Sequence, residues 1–214
     1  DFINIPTTLL AQVDASIGAK TGIDFKGQKN MIGLFSEPKK ILIDSIFLKT
    51  LPERELKSGF AEVLKHGLIA DKKYFETSME TFLNKTIQWS EIIEKSIEIK
   101  RKIVAQDPKE AGLRKILNFG HTIGHAVESY WMDSKSPLLH GEAIAIGMVS
   151  ESYLSYRIGN ITETELFDIR NTITRIYGHN PKYLKPKEEL IALMRSDKKN
   201  YNGAIKFALL ENVG

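Results

Sequence analysis

The sequence predicts a mainly α-helical protein in which a helical domain follows the tail of an α/β domain. Apolar residues recur at helical spacing in seven segments from residue 51 onward, separated by Gly, Pro, Asp and Asn breaks. Before that point, the β-branched run Lys40-Ile-Leu-Ile-Asp-Ser-Ile-Phe47 has the length of a strand. With 214 residues and 42% hydrophobic content, the chain can bury a core. We therefore expect an α/β remnant over residues 1–52 and a helical domain over residues 53–214.

The predicted first part begins with an extended segment. Asp1-Phe-Ile-Asn-Ile-Pro6 has the character of the end of such a segment, which suggests a piece of a longer polypeptide. Pro6 and the hydroxyls of Thr7 and Thr8 open a predicted helix that runs to about Lys20. A loop rich in Lys and Gly is expected over residues 21–33, and a strand over residues 40–47.

The predicted helical domain opens at Thr50-Leu-Pro-Glu53. This stretch combines a threonine N-cap, an early helical proline and a glutamate three residues on, which is the pattern of a capping box. A polar turn over residues 196–203 and a short closing strand over residues 204–210 are expected at the end. The helices are predicted near residues 51–69, 71–84, 87–105, 118–131, 140–157, 163–177 and 187–196.

The charge pattern argues against several kinds of partner. The formal charge is +3, and Lys and Arg are mixed with Asp and Glu along most of the chain. No arm for nucleic acid and no membrane-binding face therefore stands out. The lack of cysteine excludes disulfides and thiolate metal sites. We expect a cytoplasmic enzyme that acts on a small molecule.

A group of imidazoles and one carboxylate predicts a catalytic metal site. Three of the five histidines, His121, His125 and His140, lie within twenty residues, and Glu62 lies in a helical segment bounded by glycines. Imidazole and carboxylate suit zinc, and three protein ligands leave one position open. His121 and His125 are four residues apart and would share one face of a helix. This spacing, taken alone, predicts that both of them are metal ligands. No Glu directly follows His121, which argues against the HExxH pattern of zinc proteases.

Two acidic residues near these histidines have ordinary structural interpretations. Glu142 lies near a helix N-terminus, where a negative charge interacts favourably with the helix dipole. Glu62 and Lys65 are three residues apart and would by default form a surface ion pair. Their apolar neighbours argue only weakly against exposure.

Scattered cations predict an anionic substrate. Lys29 and Asn30 lie between two glycines, in a loop that lets backbone N–H groups and an ammonium approach a phosphate. Taken singly, each lysine is more often a solvated surface residue. Together with a metal site, they indicate a small, highly anionic, polyhydroxylated substrate. The candidate cations are Lys20, Lys26, Lys29, Lys100, Arg114, Lys198 and Lys199.

The chain resembles the 3-dehydroquinate synthase family over nearly its whole length. Several long motifs occur in the family's order, which makes the resemblance far more specific than one signature. The matching stretches are Pro6-Thr-Thr-Leu-Leu-Ala-Gln-Val-Asp14, Gly27-Gln-Lys-Asn-Met-Ile-Gly33, Phe47-Leu-Lys-Thr-Leu-Pro52, Gly59-Phe-Ala-Glu62, Leu117-Asn-Phe-Gly-His-Thr-Ile-Gly-His125, His140-Gly-Glu-Ala-Ile-Ala-Ile-Gly147 and Asp197-Lys-Lys199.

The resemblance implies a role for each matching residue and the helical metal-binding domain of the dehydroquinate synthase-like fold. The implied zinc (or cobalt) ligands are Glu62, His121 and His140, which leaves His125 for catalysis. The other implied catalytic residues are Asp14, Lys65 and Glu110. The implied substrate contacts are Lys20, Asn30, Lys100, Arg114, Asn118 and Lys198. The implied NAD contacts are Thr7, Thr8, Lys20, Lys29, Phe47, Leu48, Lys49 and Thr50.

The family's reaction would follow from the same resemblance. Its members convert 3-deoxy-D-arabino-heptulosonate 7-phosphate to 3-dehydroquinate and phosphate in the shikimate pathway, with NAD reduced and reoxidised in each turnover. A homodimer is expected at full length. Two departures stand out: Ala19 replaces a second glycine, and of the family's amino-terminal dinucleotide-binding half we expect only the tail, about residues 1–52, to be present. The chain alone is therefore expected to be inactive.

Three alternatives stay open at this point. Other sugar-phosphate cyclases share the scaffold and the metal ligands, although Arg114, Asn118 and His125 favour an acid substrate that needs a carboxylate-binding cation. Polyol and iron-dependent alcohol dehydrogenases are a more distant possibility and would release NADH. A helical oligomerisation fragment with a vestigial metal site is the non-enzymatic alternative.

Overall fold

The computed structural model describes residues 1–25, 28–178, 180–196 and 204–214, with the backbone alone for residues 24, 25 and 28–31. Its helices confirm the predicted helical segments to within three residues at each end. Among the described residues, no helix is long and apolar enough to cross a membrane. The helices are α1 (Glu53–Ala70), α2 (Lys72–Leu83), α3 (Trp89–Gln106), α4 (His121–Trp131), α5 (His140–Arg157), α6 (Glu163–Tyr177) and α7 (Lys187–Ser196).

The described residues of the first part form four short strands in two separate pairs. Strand β1 (Ile3–Asn4) pairs in parallel with β4 (Lys40–Ile41), and β2 (Lys20–Phe25) pairs antiparallel with β3 (Gln28–Phe35). The prediction of a loop over residues 21–33 was therefore wrong. Cross-strand pairs such as Ile23 with Ile32 favour a hairpin, and the glycines that suggested a loop pair with each other as Gly22 and Gly33.

Two other local predictions need correction. The predicted strand over residues 40–47 ends at Ile41, because Asp44 accepts a hydrogen bond from the amide of Ile46 at 2.8 Å and starts a 3₁₀ helix, Ser45–Thr50. The helix predicted to run to Lys20 ends in a π-helical turn, Ala11–Ala15. Ala19 has a φ of 61°, a left-handed conformation that glycine adopts more readily than alanine.

Helix α1 begins where it was predicted, but not through a capping box. Its N-cap is Pro52, which makes no side-chain capping bond, and the hydroxyl of Thr50 instead donates to the carbonyl of Phe47 at 3.4 Å. The prediction of a closing strand over residues 204–210 was also wrong. Apart from an isolated bridge at Ala204, these residues form no regular secondary structure. The amide of Leu210 donates to Ser155 Oγ at 3.0 Å, which holds this segment against α5.

Helix α1 lies at the centre of the core. Its residues from Ser58 to Leu68 are all buried, so every face of this stretch is covered by other elements. Phe60 stacks on Phe82 of α2 with ring centroids 4.1 Å apart. Leu9 and Val13 of the first part belong to the same hydrophobic cluster. The two predicted parts therefore share one core, and any polar residue in the middle of α1 must find its partners inside the protein.

Helices α4 and α5 approach each other closely because glycines lie at their contact. A Cβ atom at Gly147 would overlap the carbonyl oxygen of Gly120 and lie 2.8 Å from the amide nitrogen of Gly124. Gly120 precedes α4 with a φ of 79°, which is strained for any residue with a side chain. The fully buried Glu151 of α5 accepts from the amides of Gly120 at 2.7 Å and Ile123 at 3.0 Å. The start of α4 is thus fixed against α5.

We predict that Gly147→Ala destabilises the protein by about 3 kcal/mol or more, at the upper end of overpacking substitutions, because the new methyl group meets backbone atoms that cannot move aside. Thermal unfolding followed by circular dichroism measures this change. Ser150→Ala on the same helix is the control, since it removes only a hydroxyl that bonds to the carbonyl of Ile146. Equal melting temperatures for both variants would contradict the close packing of α4 on α5.

Candidate functional site

Three helices bring one carboxylate and two imidazoles together. Glu62 comes from the middle of α1, and His121 and His140 are the first residues of α4 and α5. Glu62 is fully buried, and its Oε1 atom lies 3.5 Å from the Nε2 atom of each histidine. This oxygen has no hydrogen-bond partner among the described residues. Ligand atoms around a tetrahedral zinc ion are about 3.4 Å apart for bonds near 2.1 Å, so the three atoms fit one such ion.

The second ring nitrogen of each histidine faces an acceptor. His121 Nδ1 lies 3.0 Å from the carbonyl oxygen of Phe119, and His140 Nδ1 lies 3.3 Å from Glu128 Oε2. A carbonyl oxygen only accepts, so His121 Nδ1 donates and the lone pair of Nε2 points towards Glu62. Such an arrangement is typical of metal-binding histidines, whose other nitrogen is held by an acceptor.

The charges of these groups differ strongly. Burial lowers the pKa of His121 to about 3, which keeps its imidazole neutral. Burial also opposes the charged form of His140, but the neighbouring carboxylates of Glu128 and Glu62 outweigh it and raise the pKa to about 9. Burial raises the pKa of Glu62, yet the ammonium of Lys65 outweighs it and holds the pKa below the ordinary value, so this carboxylate is ionised.

His125 lies beside this group. Its ring centroid is 5.1 Å from that of His121 and 5.9 Å from that of His140. Its ligating atom clusters with those of Glu128 and His140, whereas Glu62 clusters with His121 and His140. The cluster that contains Glu62 therefore consists of the three ligands that the resemblance implies. The helical spacing of His121 and His125 does not by itself show that both bind one metal ion.

A buried network of charges surrounds the metal candidates. The side chain of Lys65 is 1% exposed and pairs with Glu62, so this is no ordinary surface pair. Asp14 Oδ1 lies 2.8 Å from the ammonium of Lys100 and 3.6 Å from that of Lys65. Burial raises the pKa of Asp14, but Lys100, Lys65 and His66 outweigh it and hold the pKa well below the ordinary value. Alternating charges thus line one side of the site.

Glu110 links two predicted substrate residues. It forms an ion pair with Lys20 and accepts a hydrogen bond from Asn118 Nδ2 at 2.6 Å. Its φ is 59°, an uncommon left-handed conformation for a glutamate. The backbone around it is held by Asp107, which accepts from the amides of Ala111 at 2.9 Å and Gly112 at 2.7 Å. The carboxylate of Glu110 is therefore held in place by contacts on both its backbone and its side chain.

Arg114 is buried and connects the two parts of the chain. Its Nη1 donates to the carbonyl of Pro108 at 2.7 Å, and its Nη2 donates to the carbonyl of Gly18 at 2.8 Å. Each terminal nitrogen carries a second hydrogen, so the guanidinium can still donate to a ligand. Its orientation is fixed before any substrate binds.

The predicted cofactor contacts are described only in part. Thr8 Oγ1 accepts from the amide of Ala11 at 3.2 Å and so helps to open the first helix. Leu48 is buried in the core, so its side chain faces the protein interior. Thr7, Phe47, Lys49 and Thr50 are exposed. Lys29 and Asn30 lie in β3 with only their backbone described, and Lys26, Lys198 and Lys199 lie outside the described residues.

Sequence reasoning missed two polar residues beside the site. His66 is fully buried, and its Nε2 lies 3.7 Å from Asp14 Oδ1. Glu128 faces His140, as described above. Glu128 follows His121 by seven residues and His125 by three, so helical spacing could have placed it on the same face of α4. No comparable signal identifies His66, because its partner Asp14 is distant in sequence.

A helical domain that presents a buried Glu, His and His set defines a candidate metal-dependent enzyme, and comparison with known proteins identifies its family. A family model described as 3-dehydroquinate synthase C-terminal matches residues 59–200. A second model, described as 3-dehydroquinate synthase N-terminal, matches residues 1–58. The chain belongs to the 3-dehydroquinate synthase family.

Curated relatives match the chain along its whole length. The 3-dehydroquinate synthase of Sulfurovum sp. (strain NBC37-1) is 44% identical over 214 residues, which cover 100% of this chain and 61% of that protein. The 3-dehydroquinate synthase of Parabacteroides distasonis is 45% identical over 215 residues, which cover 99% of this chain and 61% of that protein. The chain therefore spans about three fifths of the length of these relatives.

Solved structures of related cyclases confirm the predicted fold class. The 2-epi-5-epi-valiolone synthase from Streptomyces hygroscopicus subsp. jinggangensis, with NAD⁺ and Zn²⁺ bound, is 30% identical with a TM-score of 0.85. The match covers 99% of this chain and 60% of that one. A 2-deoxy-scyllo-inosose synthase complexed with carbaglucose-6-phosphate, NAD⁺ and Co²⁺ is 25% identical with a TM-score of 0.80, over 99% of this chain and 59% of that one.

We predict that Lys65→Met destabilises the metal-free protein by about 3 kcal/mol, because it leaves the buried carboxylate of Glu62 without its ammonium partner. A divalent cation can neutralise the same carboxylate. Added zinc should therefore raise the melting temperature of this variant by more than that of the wild type. Differential scanning calorimetry with and without zinc measures both effects. Lys102→Met, which removes an exposed partner of Glu98, is the control. A Lys65→Met variant that melts like this control would show that the buried pair is dispensable.

Proposed function

We propose that the chain forms the metal- and substrate-binding part of a 3-dehydroquinate synthase. The observation that carries the proposal is the cluster of Glu62, His121 and the half-buried His140 in a chain that is 40–45% identical to enzymes of this name. The reaction converts 3-deoxy-D-arabino-heptulosonate 7-phosphate to 3-dehydroquinate and phosphate. It is a lyase reaction of the shikimate pathway, which leads to chorismate and the aromatic amino acids.

The metal candidates suit a borderline divalent ion. Glu62, His121 and His140 would hold zinc or cobalt, consistent with the unpartnered Oε1 of Glu62 that faces both Nε2 atoms. When bound, the ion supplies a Lewis acid that polarises substrate hydroxyl oxygens. His125 lies next to this set, where its imidazole can take or give a proton at the reacting carbon atoms.

The second implied group is NAD, whose chemistry is reversible acceptance of a hydride. Here the support comes from the relatives and from exposed residues near the predicted contacts. A surface cavity of about 420 Å³ is lined by Lys49, Leu48, Asp44 and the start of α3. The proposed contacts in this chain are Thr7, Thr8, Lys20, Lys29 and the stretch Phe47 to Thr50.

The buried cations and the fixed carboxylates would bind and orient the substrate. Arg114 and Lys100 would hold its carboxylate, since both are buried and the guanidinium is already oriented by two carbonyls. Asp14 positions Lys100 through a 2.8 Å ion pair and, with Lys65, takes part in proton transfer. Glu110 and Asn118, joined by a 2.6 Å hydrogen bond, would contact the hydroxyl groups. The proposed phosphate contacts are Lys20, Asn30 and Lys198.

Related cyclases remain the second candidate, because the similar solved structures include synthases of valiolone and scyllo-inosose. Sequence identity of 44% to a 3-dehydroquinate synthase, against 30% to the valiolone synthase, favours the first candidate.

A protein with the full length of the relatives, proposed to be a homodimer, should release phosphate from the heptulosonate phosphate without accumulating NADH. Accumulation of NADH would indicate an alcohol dehydrogenase instead. A purified protein without bound metal would indicate an oligomerisation fragment.

We expect Glu62→Gln, His121→Ala and His140→Ala each to lose the metal, because each removes one of three protein ligands. His125→Ala should keep the metal and lose most of its activity, because the variant lacks only the proton-transfer group. Elemental analysis of the purified, full-length variants measures metal content, and phosphate release measures activity. If His125→Ala loses the metal while His140→Ala retains it, the ligand pair is the one that helical spacing suggests.

Arg114→Lys should lower the specificity constant of the full-length enzyme by one to two powers of ten while zinc and NAD stay bound. The ammonium keeps the charge but loses the planar fork, and a lost charge-assisted contact costs about 1.5–3 kcal/mol. Steady-state kinetics with the heptulosonate phosphate measure the change. Arg101→Lys on the exposed face of α3 is the matched control. An unchanged specificity constant would assign Arg114 a purely structural role between Gly18 and Pro108.

A further inference from the structure

The imidazole of His140 lies between two carboxylates. Its Nε2 atom is 3.5 Å from Glu62 Oε1, and its Nδ1 atom is 3.3 Å from Glu128 Oε2. Glu128 belongs to α4, whereas His140 is the first residue of α5 and Glu62 belongs to α1. The ring is therefore held between side chains of two other helices, at the point where the three helices meet.

Glu128 is a buried carboxylate that needs a polar partner. Its side chain is only 8% exposed, and a carboxylate in such surroundings is costly unless it is hydrogen-bonded or paired. The Nδ1 atom of His140 lies 3.3 Å from this carboxylate. Glu128 therefore contacts the imidazole directly and affects its orientation.

Comparison with His121 shows what the contact between Glu128 and His140 adds. His121 is oriented by the backbone carbonyl of Phe119, two residues away on its own chain segment. His140 is oriented by a side chain that carries a full negative charge and comes from a neighbouring helix. A charged acceptor forms a stronger hydrogen bond than a neutral carbonyl and makes the opposite ring nitrogen a better electron donor.

We propose that Glu128 is the positioning residue of His140, a role that rests on the proposed metal site. An ionised carboxylate only accepts hydrogen bonds, so it holds the proton on Nδ1. A metal ion that displaces the proton of Nε2 then meets a lone pair directed at the metal position. It also fixes the rotation of the ring. With Glu62, it places two negative charges near a divalent cation. Glu128 acts through His140 and is not itself a ligand.

The same carboxylate reaches towards the proposed proton-transfer residue. The ligating atoms of His125, Glu128 and His140 all lie within 4.8 Å of one another. Glu128 thus stands between a metal ligand on α5 and a catalytic candidate on α4. A shift of this side chain should therefore change the environment of both imidazoles.

The test compares zinc and cobalt binding by the full-length protein and its Glu128→Gln and Glu128→Ala variants. Competition with a chelator gives the zinc dissociation constant, and the absorption spectrum of the cobalt form reports the ligand geometry. Loss of an outer-shell partner should weaken zinc binding 10- to 100-fold. The glutamine keeps an acceptor oxygen but not the charge, so it should lie between the wild type and the alanine variant. The cobalt spectrum should change in the same order.

Glu142→Gln is the matched control. Glu142 lies two residues after His140, accepts from the amide of Leu139 at 2.8 Å and pairs with Arg54. It contacts the start of α5, whereas the carboxylates that face the His140 ring are those of Glu62 and Glu128. This variant should bind zinc within about twofold of the wild type, well below the 10- to 100-fold effect of removing an orienting partner. Unchanged far-UV circular dichroism of all variants excludes a general loss of fold.

Distinct outcomes would overturn the proposal. Wild-type affinity in both Glu128 variants would refute the positioning role and leave the proposed metal site intact. Equal weakening by Glu142→Gln would assign the effect to the start of α5. Two metal equivalents in the wild type and one in Glu128→Ala would make Glu128 a ligand of a second ion with His125. A wild-type protein that binds no metal would refute the metal site itself, and this proposal with it.

Discussion

The buried carboxylate of Glu62 is the constraint on which the surrounding structure depends. It lies in the middle of α1, in the stretch from Ser58 to Leu68 where every residue is buried. Removing an ionised group from water costs several kcal/mol unless charges and hydrogen bonds compensate for it. Lys65 supplies one compensating charge, and the two imidazoles face the remaining oxygen. The core of this protein is thus built around a polar centre, and the helices that contact α1 must carry the groups that complete it.

The first residues of α4 and α5 lie at this polar centre, and glycines allow the two helices to pack closely enough to reach it. His121 and His140 each occupy the first position of a helix, so a small change in the path of either helix would displace an imidazole. Gly147 allows α5 to lie against the backbone of Gly120, and Glu151 holds the first amides of α4. The amide of Gly141 donates to Ser58 Oγ at 3.0 Å, which joins α5 to α1. Backbone contacts therefore set the distances between the candidate ligands.

The first part of the chain is a structural partner of the helical domain and contributes to the same site. Lys100 of α3 pairs with Asp14, Arg114 donates to the carbonyl of Gly18, and Lys20 pairs with Glu110. These contacts join residues that are 86, 96 and 90 positions apart in the sequence, respectively. The predicted boundary near residue 52 marks a change in local structure, while the core and the charged network run across it. Substrate groups bound there would contact both parts at once.

The sequence by itself determined the helices, because apolar residues at helical spacing and strong breaks act over a few neighbouring residues. It also identified the motifs that assign the family. It misjudged the stretch over residues 21–33, where glycines indicated a loop but cross-strand pairs such as Ile23 with Ile32 formed a hairpin. Only the tertiary structure decided that Glu62 and Lys65 are buried, that Glu128 faces His140, and that His66 approaches Asp14. Those relations depend on how helices pack, and local spacing contains no information about distances between residues that are far apart in the chain.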